Sequence, residues 1–246
     1  MKRFYEKSEI RFAVMWIIIY VVGVSITENI SKAIGIPSII TLFFSIAIVT
    51  VIAVFMKKNN LTELYGLCRP VLTGKELLYF IPLAAICSIN FWNGIAFEPS
   101  VGQCIITAAA KGTAGIAEEL IFRGLLFVCM CRTNVKSAVA VSSLTFGMGH
   151  IVNLLNGAAT PETICQIIYA CAIGFCFAVV FRTGKSIIPC AVTHFIVNAS
   201  SAFGSASQNM FAFHIAATRF LTVVSCGYGI WLMIRHKESF LTDIQK

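Results

Sequence analysis

The sequence predicts an all-α membrane protein, a polytopic helix bundle with about eight transmembrane helices, and three observations predict it. Of 246 residues, 58% are apolar and only 12% are charged, about half the charge of an ordinary soluble domain. Mean hydropathy is +0.84. The apolar residues also fall into runs of about 20, the length a helix needs to cross a hydrocarbon core of about 30 Å. With these runs assigned, no stretch is left to build a separate soluble domain, so residues 1–246 read as one integral-membrane domain.

Spans are expected near 11–28, 37–56, 77–95, 105–131, 137–153, 162–181, 187–203 and 212–234, the fifth and seventh being short. The first follows a charged stretch, Met1–Arg11, as a signal peptide would. Thr27, Glu28 and Asn29 come next rather than a small-x-small cleavage site, so the segment reads as a true span.

Charge placement supports the count. Eight spans put both termini on one side, and the loops of that side hold 15 of the 19 basic residues, from Lys2, Arg3 and Lys7 to Arg235, Lys237 and Lys246. The opposite loops offer Lys32, with Lys111 near a span end. By the positive-inside rule both termini are cytoplasmic. The net charge of +8 is thereby accounted for, and no nucleic-acid partner is expected. Short loops suit a bacterial plasma membrane. The ten cysteines contain no C-x-x-C pair, and Cys129, Cys131, Cys165, Cys171, Cys176, Cys190 and Cys226 sit in apolar runs, where free cysteine behaves as a small hydrophobe.

Charges at membrane depth are costly and need a reason. The fourth span contains Glu118, Glu119 and Arg123. Glu119 and Arg123 stand four apart on one face in the favourable order for an ion pair, which reads as a structural tie. Glu118 projects about 100° away with no cation at helical spacing. A lone buried carboxylate is suited to exchanging protons, so Glu118 reads as functional.

Two histidines lie in spans as well. His150 ends the run Phe146-Gly147-Met148-Gly149-His150 in the fifth, and His194 shares a face with Asn198 in the seventh. Depth connects the three helices. Glu118 and His150 each lie about 20 Å from the cytoplasmic end of their span at 1.5 Å per residue, His194 and Asn198 about 10 and 17 Å. Overlapping depths point to one shared polar cavity. Gly147 with Gly149, and Gly112 with Gly115, read as close helix contacts. Arg219 lies inside the eighth span near its outer end, where it can snorkel outward or meet an acid.

These residues, in this order, resemble the CPBP family of CAAX-prenyl proteases and bacteriocin-processing enzymes, also called Abi proteins. Glu118, Glu119 and Arg123 match its E-E-x-x-x-R motif, Phe146 and His150 its F-x-x-x-H, and His194 and Asn198 its H-x-x-x-N. The resemblance covers a motif-bearing core of about 105–200; spans one to three and eight carry no diagnostic residue. It implies an intramembrane endopeptidase in which Glu118 and His150 activate a water, His194 and Asn198 stabilise the oxyanion, and Glu119 and Arg123 support the site.

The chemistry of the residues agrees, because a carboxylate can act as general base while imidazole and amide N–H groups donate to a developing oxyanion. A zinc ion on Glu118, His150 and His194 is the alternative, although no H-E-x-x-H motif is present; no cofactor is the preferred expectation. The expected partners are the lipid bilayer and a peptide or membrane-protein substrate, prenylated CAAX-type or otherwise. Two other functions compete: a non-catalytic bacteriocin-immunity or peptide-binding protein using the same cavity, and a proton-coupled transporter, which the lack of internal repeats disfavours.

Overall fold

A computed structural model describes residues 1–155, 157–205 and 210–240. Among them there is no strand, and the chain is an all-α bundle. Helix α1 (Lys2–Lys7) leads into α2 (Glu9–Ala33), and α3 is Ile39–Lys58. A 3₁₀ turn, Gly74–Phe80, precedes the short α4 (Pro82–Cys87). Helix α5 (Val101–Glu119) continues through a π-helical stretch, Leu120–Phe127, into α6 (Val128–Cys131). Helix α7 (Val135–Met148) passes through a 3₁₀ turn, Gly149–Ile151, into α8 (Val152–Leu155). Then come α9 (Thr160–Gly184), α10 (Ile188–Ser200) and α11 (Met210–Arg235).

Local chemistry sets the helix starts. Ser8, Ser100 and Asn134 accept from the backbone N–H groups of Arg11, Gln103 and Ser137, at 3.3, 3.2 and 2.8 Å, and so cap α2, α5 and α7. Proline stands in the first turn of α9 and of α10, where no N–H partner is needed.

Among the described residues, six helical segments are long and apolar enough to cross a membrane: Glu9–Ala33, Ile39–Lys58, Gly74–Phe91, Val135–Leu155, Thr160–Gly184 and Phe211–Arg235. The other two of the eight expected spans are informative. The run Val101–Cys131 carries Lys111, Glu118, Glu119 and Arg123, whose charges lower its hydropathy, and α10 has only 13 residues, about 20 Å of helix. These two segments hold most of the motif residues. They can be polar or short because neighbours cover them: α5 packs on α3 and α10, α10 also on α4 and α9, and the π stretch on α2, α7 and α9. Helix α9 is the most buried of the six candidates and carries α7 on one side and α11 on another. None of the ten cysteines is in a disulfide, and Cys104, Cys129, Cys131, Cys165, Cys176 and Cys190 are buried.

Candidate active site

The site is assembled where α5 stops being an α-helix. Beyond Glu119 the backbone widens into the π stretch, a distortion that accumulates at functional sites. Such widening frees carbonyls from the regular ladder. The carbonyl of Phe122 accepts a hydrogen bond from the buried Ser142 hydroxyl of α7 at 2.9 Å, which fastens the distorted segment to its neighbour.

The expected ion pair forms. Arg123 Nη1 donates to Glu119 Oε1 at 2.9 Å, and both side chains are wholly buried. The rest of the guanidinium lies against aromatic rings, its carbon 4.1 Å from the Phe146 ring centre and 5.5 Å from that of Phe177. Its Nε and Nη2 make no hydrogen bond, so the ring quadrupoles stand in for part of the missing solvation. Gly174 of α9 makes the room. A Cβ there would come within 3.2 Å of Arg123 Nη2, of Phe146 and of the Ser143 backbone.

His194 joins both carboxylates. Its Nδ1 lies 2.8 Å from Glu119 Oε1 and its Nε2 3.2 Å from Glu118 Oε2. The second approach is close enough for charge attraction but is not an aligned hydrogen bond, and Glu118 Oε2 is buried without one. Gly115 permits this arrangement, since a Cβ on it would sit 3.1 Å from the His194 ring and 3.2 Å from Asn198 Nδ2. Gly112 likewise gives way to Phe195. Phe146 meets His194 and His150 edge-on, each at 5.6 Å between ring centres.

Glu118 and His150 line one cavity of about 100 Å³, together with Tyr20, Phe122, Phe146 and Asn153. That volume accommodates more than one water. Gly149, on its wall, has open space where a side chain would be, whereas Gly147 is pressed against α9, a Cβ there falling 2.9 Å from the Cys171 backbone nitrogen. Asn198 stands apart from this group and donates at 3.3 Å to the carbonyl of Lys111.

Spacing and depth brought out Glu118, Glu119, Arg123, His150 and His194, and the family resemblance added Phe146; the fold gathers these six. Sequence reasoning missed Tyr20. The first span was read as carrying no diagnostic residue, yet the Tyr20 hydroxyl donates to Glu118 Oε1 at 2.8 Å. The available signal was a hydroxyl inside an apolar run, which must find a partner when buried.

The zinc alternative needs donors converging on one point. Here His194 Nδ1 is committed to Glu119, and among the described residues no group of three or more His, Cys, Asp or Glu side chains is placed to hold a metal ion. As folded, this donor set does not fit zinc, and no step below is routed through one.

Residues 100–200 match the family described as type II CAAX prenyl endopeptidase, Rce1-like. The matched segment contains every motif residue named above. No curated protein matches the chain.

Proposed function

We propose, from the premise that residues 100–200 belong to the Rce1-like CAAX-protease family, that this integral membrane protein is an intramembrane endopeptidase working by a Glu118/His150-activated water. The observation that carries the reading is the single cavity lined by Glu118 and His150.

Glu118 takes a proton from the water, and the resulting hydroxide adds to the carbonyl carbon of the scissile peptide bond. The carbonyl electron pair becomes an oxyanion. On its collapse the C–N bond breaks, and the proton held by Glu118 passes to the leaving amine, so a carboxylic acid and an amine result. His150, on the same wall, orients the water. Restricted water around these groups strengthens each electrostatic contribution.

His194 takes a more defined part than the sequence suggested. Its Nδ1 is held by Glu119 while its Nε2 lies beside Glu118, so a proton on Nε2 would be placed to donate to an oxyanion formed next to Glu118. Asn198 supplies the second donor if its amide leaves the long bond to Lys111. The substrate is a peptide or membrane-associated protein, prenylated CAAX-type chains included, with its scissile bond brought to the cavity that Glu118 and His150 line and both termini of the enzyme cytoplasmic.

The test uses the purified chain in liposomes with quenched-fluorescent peptides ending in C-a-a-X, prenylated and unprenylated. Cleavage by wild type, its loss in Glu118→Ala and in His150→Ala, and its persistence in chelator are expected. Loss of wild-type cleavage in chelator would restore the zinc alternative. Well-folded wild type that binds these peptides and cuts none would favour the peptide-binding reading.

A further inference from the structure

We propose that Tyr20 is a positioning residue for Glu118: its phenol holds Oε1 and so fixes how the carboxylate is set in the wall of the cavity. The inference rests on Glu118 being the general base.

Helix α2 presents Ile18, Ile19 and Val22 outward, whereas Tyr20 is only 5% exposed and turned into the bundle. A phenol hydroxyl in such surroundings must be paired. It reaches Glu118 Oε1 at 2.8 Å, with the Ala114 carbonyl at 3.4 Å, one turn earlier on α5. The contact joins residues 98 apart in sequence, and α2 itself is held against the π stretch, α3 and α6, so the hydroxyl is delivered by a fixed element.

A glutamate side chain is otherwise free to turn. Here the other polar groups around Glu118 include His194 from α10, His150 from the 3₁₀ turn after α7, Glu119 with Arg123 on its own chain segment, and Ser25 of α2 and Asn153 of α8 around the cavity. Among these, His194 Nε2 approaches Oε2 without an aligned hydrogen bond. The carboxylate therefore has one oxygen satisfied and one buried oxygen with free lone pairs. Tyr20 and Glu118 line the same cavity, so the phenol sets the orientation in which the carboxylate meets a water there.

Tyr20→Phe keeps the ring and removes the hydroxyl. In liposomes with the quenched-fluorescent C-a-a-X peptide, kcat should fall by about ten- to a hundredfold, the range for a lost hydrogen bond to a charged group, with KM changed by less than about twofold. Tyr228→Phe, which removes a buried hydroxyl that makes no hydrogen bond, is the control and should leave both unchanged. A second readout needs no substrate: the carboxylate infrared bands that disappear in Glu118→Gln should shift in Tyr20→Phe. An unchanged kcat, a joint collapse of kcat, KM and thermal stability, or an unmoved Glu118 band would each overturn the proposal. Should the band shift while wild type cleaves nothing, the contact stands but the base role falls, and the proposal falls with it for a distinguishable reason.

Discussion

Glu119 and His194, 75 positions apart in sequence, meet at 2.8 Å through Oε1 and Nδ1, on the same carboxylate oxygen that Arg123 binds at 2.9 Å. Glu119 is thus a junction between α5, the π stretch and α10. One residue earlier, Glu118 lines the cavity. The two adjacent glutamates thus have different surroundings, one in the ion-pair junction and one on the cavity wall, and their substitutions should separate as well.

Glu119→Gln leaves Arg123 buried without its charge partner. Stability should fall by about 3–5 kcal/mol, seen as a lower unfolding temperature in detergent, with peptide cleavage lost alongside. Glu118→Gln keeps acceptors for Tyr20 and should abolish cleavage with a loss of stability below about 1.5 kcal/mol. Equal destabilisation by the two substitutions would contradict the division.

Gly174→Ala tests the room made for Arg123. The new methyl meets three neighbours at 3.2 Å, one of them the Ser143 backbone, which cannot turn aside. Overpacking should cost about 1–3 kcal/mol and lower kcat through Arg123. Gly149→Ala adds its methyl to open space and should leave stability within about 0.5 kcal/mol. Thermal unfolding of the pair, measured side by side, decides this.

Ser142→Ala removes the hydroxyl that pairs the Phe122 carbonyl. An acceptor is then left buried without a partner, at a cost of about 1–3 kcal/mol. Hydrogen exchange around Leu120–Phe127 should quicken if the contact anchors the π stretch, and unchanged exchange there would remove that role.

At the other end of the bundle, the Tyr65 hydroxyl donates to that of Tyr5 at 2.8 Å. Burial is the largest cause that raises both phenols above their ordinary value. A raised phenol holds its proton more tightly when folded. Stability is therefore fully present below about pH 10, the ordinary value, and is lost as pH rises beyond it. Melting temperatures in detergent should stay level through neutral pH and fall above about pH 10, with a shallower fall in Tyr65→Phe. Identical slopes in the two proteins would remove the pair as the cause.

The sequence by itself determined the class of the molecule. Apolar runs of membrane length dictate helices because every backbone group must be satisfied within its own segment in lipid, and the charges that interrupt such runs announce themselves by their cost. Hence Glu118, Glu119, Arg123, His150 and His194 were legible before any coordinates, as was the i, i+4 pairing of Glu119 with Arg123. Val101–Cys131 and α10, both expected as spans, fall outside the six long apolar helices for a physical reason: polar residues set the first apart and short length the second, and neighbouring helices cover both.

What only the tertiary structure decided is which groups meet across helices. Spacing on one helix says nothing of the partner that another brings, so Tyr20 on Glu118 and Gly174 beneath Arg123 left no periodic trace. Nor could straight-helix depth anticipate the π stretch after Glu119 or the 3₁₀ turn at His150, which re-aim side chains by changing the backbone itself. His194 shows the difference most clearly. As a motif residue it was one histidine beside an asparagine, and in the fold both ring nitrogens face carboxylates that chain separation keeps apart until α5 and α10 pack at Gly115.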